Sequence, residues 1–562
     1  MMGESRRGLK SKKRSCGRLY NNPASRGANL IKYPHSAMFI LITVLFLFAT
    51  ALTLAILQVT RPNYRFAWLV AAGGSFLTWV GVLLWQAHMP LMLDLPPWGS
   101  PALFADAPAF LADRFTWPYA LALSTLGLAV ILTAVVRENF PAPFPWAGTL
   151  MLIGLGLLAI LADNPLTLVL VWAAIDLTEL ITQLVSMEGE NASERVVAGF
   201  AARLLGLSLL LWTGLSSLSR GAPLDFRSPL PEAGVYLILA AGLRLGVLPL
   251  HLAYPTESAV RREFGTTVRL VSAASSLVIL ARIPAQGISS PLAPFLLALT
   301  AGACLYGGWM WMRSPDELTG RPYWVIVLAS LAVAAALRGN PVGSVAWGVA
   351  LVLAGGALFL SSIQHKILNR VLLIAGLWGI SSLPFSPTAS GWANGADPSW
   401  VVWVTWPLFL AAQAMLAAGF IRHAARPTAS VPLDAQIAWA RNIYPVGIIL
   451  PLATLLLVGL FGWDGALTFG TLPAGLAAAA LTGALLWLTP RLRWLNPVRA
   501  HWVRAQGEPS RLEFFYRSLW NLYTGLGRLG NSISIALEGD GGILWALLFL
   551  VLFLSLLAPR VP

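Results

Sequence analysis

Two acidic residues, Asp176 and Glu179, lie three positions apart inside the apolar run VWAAIDLTELITQLV. This spacing puts both carboxylates on one face of a helix. Side by side in apolar surroundings they resist ionising together, so that one of them can hold a proton near neutral pH. The alternative is a structural ion pair with an arginine on another segment. The residues leave both interpretations open for Asp176 and favour the ion pair for Glu179.

A second polar group falls in the run VYLILAAGLRLGVLPLHLAYP, which carries Arg244, then Pro249, then His251. The proline removes a backbone hydrogen bond and breaks a helix. Broken helices at bilayer depth occur where they line a cavity or are buried in protein, and transporters use them at ion sites. His251 could relay a proton because histidine titrates near physiological pH, although a histidine at a segment end is more often a simple hydrogen-bonding residue.

Two further arginines, Arg203 and Arg269, lie in apolar segments and are the candidate partners of Asp176 and Glu179. Ionisable residues inside membrane segments are costly and face the interior of the bundle. We therefore predict an ion or proton path through Asp176, Glu179, Arg203, Arg244, His251 and Arg269.

The elements that position these residues are membrane helices. Hydrophobic residues make up 57% of the 562 positions and charged residues only 11%, against about 25% charged residues in soluble domains. Apolar runs of about 20 residues, the length that crosses a bilayer as a helix, recur along the chain. The sequence therefore predicts an all-α integral membrane protein with about sixteen transmembrane helices, in a plasma or inner membrane. The predicted spans are 38–59, 64–86, 115–136, 144–162, 166–187, 196–218, 232–253, 266–286, 292–313, 322–338, 343–362, 369–386, 400–421, 443–462, 466–489 and 541–558.

The net charge of +14 does not indicate a nucleic-acid partner, because nine of the 38 Lys and Arg residues lie in the first 32 positions. Most of the others fall in loops after odd-numbered spans, which the positive-inside rule places in the cytoplasm. That orientation puts the basic arm at 1–37 outside. Either translation starts at Met38 and the arm is a misassigned start, or the arm is cytoplasmic and the span count is wrong by one.

Motifs for cofactors and metals are missing from the sequence. Cys16 and Cys304 are isolated, and there is no C-x-x-C, P-loop or Rossmann glycine pattern. We expect no cofactor and no metal bound by this chain. A polytopic transferase is a less favoured alternative, since Asp94, Asp106 and Asp113 share a loop but form no D-x-D pair.

The stretch LHLAYPTESAVRREFGTTVRLVSAASSLVILAR, which follows Pro249, resembles the seventh-to-eighth helix region of the antiporter-like membrane subunits of respiratory complex I and of Mrp-type cation/proton antiporters. Asp176 falls where that family has a glutamate, and Arg244 falls where it has its central lysine. The run LLIAGLWGISSLPFSPTASGW is similar to the second broken helix of the family, and Gly379 and Pro384 carry this match.

The resemblance implies two inverted five-helix repeats, each with one broken helix. Apolar residues at steps of three and four over 510–536 predict a surface helix before the last span. The predicted parts are an arm at 1–37, first helices at 38–140, repeats at 141–290 and 291–425, additional helices at 426–489, an amphipathic connector at 490–540 and an anchor at 541–562.

The resemblance further implies a non-redox membrane subunit of a NADH:quinone oxidoreductase-like complex that takes part in proton translocation. Its partners would be other membrane subunits, the lipid bilayer and the transported H⁺ or Na⁺, with no nucleic acid. The alternatives are an Mrp-like antiporter subunit and a divergent scaffold that does not pump. The scaffold stays open because Lys366 is the single lysine after position 32, and arginine releases its proton far less readily than lysine.

Overall fold

The computed structural model describes residues 34 to 491 with gaps at 63, 65, 97–107, 138–142, 187–191, 222–225, 227–232, 253–261, 284–290, 364, 394–399, 427–431, 462–468 and 489–490. In this part of the chain the backbone forms fifteen α-helices, short 3-10 turns and one two-stranded sheet. Helices dominate because the bilayer offers no partner for backbone N–H and C=O groups, which must therefore bond within the segment.

The helices are α1 Pro34–Thr60, α2 Ala67–Trp85, α3 Thr116–Thr133, α4 Pro143–Leu161, α5 Pro165–Ser186, α6 Ala192–Ser219, α7 Ala233–Leu245, α8 Arg262–Leu277, α9 Ala293–Arg313, α10 Glu317–Leu337, α11 Pro341–Leu360, α12 Lys366–Ile380, α13 Trp400–Ala424, α14 Ala438–Phe461 and α15 Leu472–Leu488. The 3-10 turns are Gln86–His88, Ala134–Val136, Val278–Arg282, Ala389–Trp392 and Leu433–Ala435. The strands are β1 Leu91–Asp94 and β2 Ala109–Ala112.

Eleven of the described helices are long and apolar enough to cross a membrane, and α7 and α15 are shorter apolar helices. The predicted all-α, multi-pass membrane class is confirmed. Each of the first fifteen predicted spans overlaps a described helix, although α7 and α12 end at Leu245 and Ile380, before the predicted ends at 253 and 386. The sixteenth span at 541–558 and the connector at 490–540 lie outside the described residues, so the count of sixteen stays a prediction.

The interior of the bundle is formed by α3, α8, α10 and α11, whose residues are almost all buried. Helix α11 packs against α3, α8, α10 and α14, and it is therefore central. The surrounding helices α1, α2 and α6 expose large apolar side chains such as Leu52, Leu77 and Trp212. Exposed apolar side chains of this kind suit a surface in contact with lipid, because lipid tails are equally apolar.

Close helix contacts are made through glycine. A Cβ atom on Gly74 of α2 would lie 2.4 Å from Cγ2 of Thr50 on α1, so no larger residue fits at this contact. Membrane helices gain little from apolar burial when they associate, because lipid tails are equally apolar, and they rely on such close packing instead.

The sheet precedes α3 and fixes its start. Strands β1 and β2 are antiparallel, with Leu91 opposite Ala112. Directly after β2, Asp113 Oδ1 accepts the backbone N–H of Thr116 (2.9 Å), which caps α3. The other oxygen, Asp113 Oδ2, pairs with Arg282 Nη1 at 2.8 Å. This aspartate therefore holds together the ends of two helical segments.

The first turn of α8 is tied to the second half of the chain. Arg262 donates to the carbonyls of Phe359 (2.9 Å) and Ser361 (3.1 Å) at the end of α11, and pairs with Glu317 at the start of α10 (2.8 Å). The last carbonyls of a helix have no partner within it, so Arg262 supplies donors that α11 lacks.

Candidate ion site within the membrane

Four charged side chains meet between α5, α6 and α7. Asp176 and Glu179 lie on α5, Arg203 on α6 and Arg244 on α7, and none is more than 1% exposed. The helix spacing predicted from the sequence puts both carboxylates on the face that looks towards α6. The structure thus assembles four of the predicted residues into one buried cluster.

The strongest contact of the cluster is a two-bond pair between Asp176 and Arg244. Arg244 Nη1 donates to Asp176 Oδ2 at 2.5 Å, and Arg244 Nη2 donates to Asp176 Oδ1 at 2.8 Å. The planar guanidinium matches both oxygens of a carboxylate, which makes such pairs strong and directional. The main partner of Asp176 is therefore Arg244, whereas the partners expected from the sequence were Arg203 and Arg269.

Arg203 bridges the two carboxylates. Its Nη1 donates to Glu179 Oε1 at 3.0 Å, and its Nε lies 3.4 Å from Asp176 Oδ1. The ion pair favoured for Glu179 is therefore present. With all four groups ionised, the two acidic and two basic side chains carry no net charge. Neutrality is what allows the group to stay buried, since an unpaired charge at this depth is very costly.

Three neighbours that the sequence did not single out hold Arg244 in place. The ring of Trp172 on α5 lies 4.1 Å from the guanidinium carbon, a cation–π contact. Ser276 on α8 accepts a hydrogen bond from Arg244 Nε at 3.1 Å. A Cβ on Gly206 of α6 would lie 2.8 Å from Arg244 Cγ, so that only glycine leaves space for the side chain there.

Arg269 and His251 lie beside the cluster. Arg269 on α8 is buried and donates from Nη1 to the Gly265 carbonyl at 3.1 Å, and its charge acts on Glu179. His251 follows the end of α7; its Nδ1 is 2.8 Å from the Pro249 carbonyl, and it is close enough to sense the charge of Arg203. Their place in an ion path stays a prediction.

The first helix interruption starts one residue after Arg244. Helix α7 ends at Leu245, and Gly246 has a φ of 74°, which only glycine adopts readily. The N–H groups of Val247 and Leu248 then bond the Gly242 carbonyl at 2.8 and 3.2 Å. The Arg244 side chain is therefore presented from the end of a helix, next to irregular backbone.

The second interruption follows α12 and has a different lining. Helix α12 ends at Ile380, one residue after Gly379, and Pro384 lies in the irregular backbone that follows. Thr388 Oγ1 donates to the Gly379 carbonyl at 3.0 Å, and Arg338 Nη2 donates to the Gly391 carbonyl at 2.9 Å. No salt bridge joins a carboxylate to this interruption within the described residues.

The described residues contain no group of three or more His, Cys, Asp or Glu side chains that could hold a metal ion. The carboxylates, guanidinium groups and hydroxyls that line the charged cluster can exchange protons and rearrange their ion pairs.

Comparison with solved structures gives the fold class, whereas no protein-family model and no curated protein matches the sequence. A chain of the Mrp complex from a Dietzia species superposes with a TM-score of 0.67 at 14% identity, covering 93% of this chain and 63% of that one. This chain thus spans less than two thirds of the length of the Mrp chain.

Two respiratory complexes contain similar chains. A chain of respiratory complex I from Thermus thermophilus gives a TM-score of 0.53 at 19% identity, covering 76% of this chain and 100% of that one. A chain of the membrane-bound sulfane sulfur reductase, an archaeal respiratory membrane complex, gives 0.57 at 13% identity, covering 92% and 99%. All three are antiporter-like membrane subunits, and the predicted resemblance is confirmed at the level of fold.

Proposed function

We propose that this chain, which has the antiporter-like membrane-subunit fold, belongs to a complex I-type assembly in a plasma or inner membrane and takes part there in proton translocation. The observation that carries the proposal is the buried cluster of Asp176, Glu179, Arg203 and Arg244 beside a helix interruption. A purely structural role would not need four charges at this depth, because apolar residues of similar volume stabilise equally well or better.

The surroundings of the cluster support proton movement. Helix α8 contacts the cluster through Ser276 and also carries Thr266, Thr267, Ser272 and Ser275, and all five side chains are fully buried. Hydroxyl groups donate and accept hydrogen bonds at once, so they can hand on a proton or hold a water molecule between the charges. In this proposal Asp176 and Glu179 bind the proton. The positive charges of Arg244 and Arg203 set the electrostatic potential at these two carboxylates.

We propose no cofactor for this chain, which would act as a non-redox subunit with other membrane subunits, lipid and the transported ion as its partners. One alternative is an Mrp-like cation/proton antiporter subunit, which the likeness to the Mrp chain supports. Another is a scaffold that does not pump. The two-bond pair of Asp176 with Arg244 favours this scaffold, since arginine does not release its proton at physiological pH.

The test measures ion translocation by the host complex in proteoliposomes, with Asp176→Asn and Arg244→Ala compared at equal assembly. Translocation through the cluster predicts a lower ion-to-electron ratio in both variants. The matched control is Asp113→Asn, which breaks the pair with Arg282, a largely buried ion pair outside the cluster. A scaffold role predicts an unchanged ratio in all three variants. Replacement of Na⁺ in the buffer then separates proton transport from Na⁺-linked transport.

A further inference from the structure

The second helix interruption, defined here as residues 380 to 393, contains backbone groups that have lost their helical partners. Ser382 and Phe385 adopt φ values of 55° and 64°, in the left-handed region, so the helix cannot continue through them. Buried N–H and C=O groups without partners are costly, above all in a membrane. Whether water can enter the second interruption therefore depends on which protein groups bond these N–H and C=O groups.

Gln413 on α13 joins the two ends of the interruption. Its Nε2 donates to the Ile380 carbonyl (3.0 Å) and to Ser382 Oγ (3.0 Å), and its Oε1 accepts from Trp392 Nε1 (2.9 Å). Both N–H groups and the oxygen of the amide are therefore engaged. Gln413 is only 1% exposed, so the three bonds compete little with solvent.

Thr388 makes a second set of hydrogen bonds across the interruption. Thr388 Oγ1 accepts the N–H of Ser382 at 3.0 Å and donates to the Gly379 carbonyl at 3.0 Å. Among the described residues, Arg338 is a charged group that faces this region, and its guanidinium carbon lies 5.4 Å from the ring centre of Trp392. The groups around the Gln413 amide are thus hydrogen-bonded to one another. Among the described residues, no carboxylate is a hydrogen-bond partner of Gln413.

Helices α14 and α15 close the outer side of the interruption. A Cβ on Gly475 of α15 would lie 2.5 Å from the Ser382 carbonyl oxygen, and a Cβ on Gly459 of α14 would lie 2.6 Å from Pro387 Cγ. These contacts leave no space for a methyl group, so the backbone of the interruption is closely packed against both helices.

We propose that the second interruption is a closed element, kept shut by Gln413, and that a transported ion enters and leaves through the first half of the chain. The closure stands on the contacts above, and only the route of the ion rests on the proposed function. The first interruption has two carboxylates and two guanidinium groups buried beside it, whereas the second is held by the Gln413 amide, the Thr388 hydroxyl and the single cation Arg338 among the described residues.

Removal of Gln413 should open the element to water. The hydroxyls of Ser386 and Ser390 are buried and have no hydrogen-bond partner within the described residues. Water that replaced the amide would reach these groups and the freed carbonyl of Ile380. A hydrated gap of this kind conducts protons without any titratable side chain.

The experiment measures passive proton leak in proteoliposomes that hold the assembled complex without an electron donor, under a potassium diffusion potential, with an internal pH dye. Gln413→Ala should raise the leak about tenfold, as expected when hydrogen bonds that favour the closed state are lost. The control is Thr405→Val, on the same helix, because within the described part of the chain Thr405 Oγ1 bonds only carbonyls of its own helix. Equal leaks in the two variants would overturn the proposal.

Trp392→Phe provides a second measurement if Gln413→Ala does not assemble. It keeps an aromatic ring and removes one of the three bonds to Gln413, so the leak should rise by less than in Gln413→Ala. An unchanged leak in an assembled Trp392→Phe complex counts against the closure. Asp176→Asn, measured under turnover in the same vesicles, reports on the proposed function separately. A chain that does not pump would show no effect of Asp176→Asn and would still leak when Gln413 is removed.

Discussion

Replacement of Arg244 by leucine tests how the charged cluster is balanced. Among the described residues, Asp176 in this variant keeps only the contact with Arg203 Nε at 3.4 Å, and it loses bonds of 2.5 and 2.8 Å. Removing one partner of a buried pair leaves an uncompensated charge and costs about 3–5 kcal/mol. We expect Arg244→Leu to lower the free energy of unfolding by that amount.

The double variant Asp176→Leu with Arg244→Leu separates stability from function. It removes both charges of one pair and leaves the pair of Arg203 with Glu179 intact. Since a buried pair can often be replaced by apolar residues without loss, we expect the double variant to recover most of the stability lost in Arg244→Leu. Ion translocation should stay as low as in the single variant.

The assay is unfolding of the purified chain in mixed micelles, with wild type, both single variants and the double variant forming one cycle. An interaction free energy of several kcal/mol between the two positions, measured from this cycle, supports the ion pair between Asp176 and Arg244. If the losses in the two single variants simply add in the double variant, Asp176 and Arg244 do not interact, and the assignment of the cluster is wrong.

Two further predictions concern the supports of Arg244. Gly206→Ala should destabilise the chain by about 1–3 kcal/mol, because the added Cβ would lie 2.8 Å from Arg244 Cγ and 2.9 Å from a backbone carbonyl oxygen. The control is Gly302→Ala, where nothing lies within 4 Å of the added Cβ, and it should stabilise the chain by about 0.4–1 kcal/mol. Equal effects in the same unfolding assay would argue against the close contact. Ser276→Ala should cost about 1–3 kcal/mol, since Arg244 Nε loses its acceptor, whereas Ser208→Ala at an exposed helix position should change stability by less than about 0.5 kcal/mol. A Ser276→Ala chain as stable as Ser208→Ala would contradict that hydrogen bond.

The sequence predicted the helices well because the bilayer sets their length. Apolar runs of about 20 residues admit few other structures, so the first fifteen spans could be placed without knowledge of packing. The breaks were also predictable, since Pro249 and Pro384 interrupt apolar runs. The last predicted span and its connector stay predictions, as does the division into two inverted repeats.

Of the residues that form the site, the sequence predicted only the charged ones. Asp176 and Arg244 stand out because ionisable residues are rare in membrane segments, but they are 68 positions apart and nothing along the chain says that they pair. Trp172, Gly206 and Ser276 belong to residue types that are common in membrane helices. Gln413 lacks a charge and so gave no signal, and its importance follows only from the three bonds it makes.

Helix α8 contacts the charged cluster at one end and the second half of the chain at the other. Near its last turn Ser276 contacts Arg244 (3.1 Å), and at its first residue Arg262 is fastened to α10 and α11. Arg262 and Ser276 are fourteen positions apart, which is about 21 Å along a helix, so a sideways shift of about 1 Å at Ser276 would tilt the helix by only about 3° around its fastened end. A displacement of Arg244 that moved Ser276 would therefore reach the second half of the chain only as a small change in the angle of α8 at Arg262.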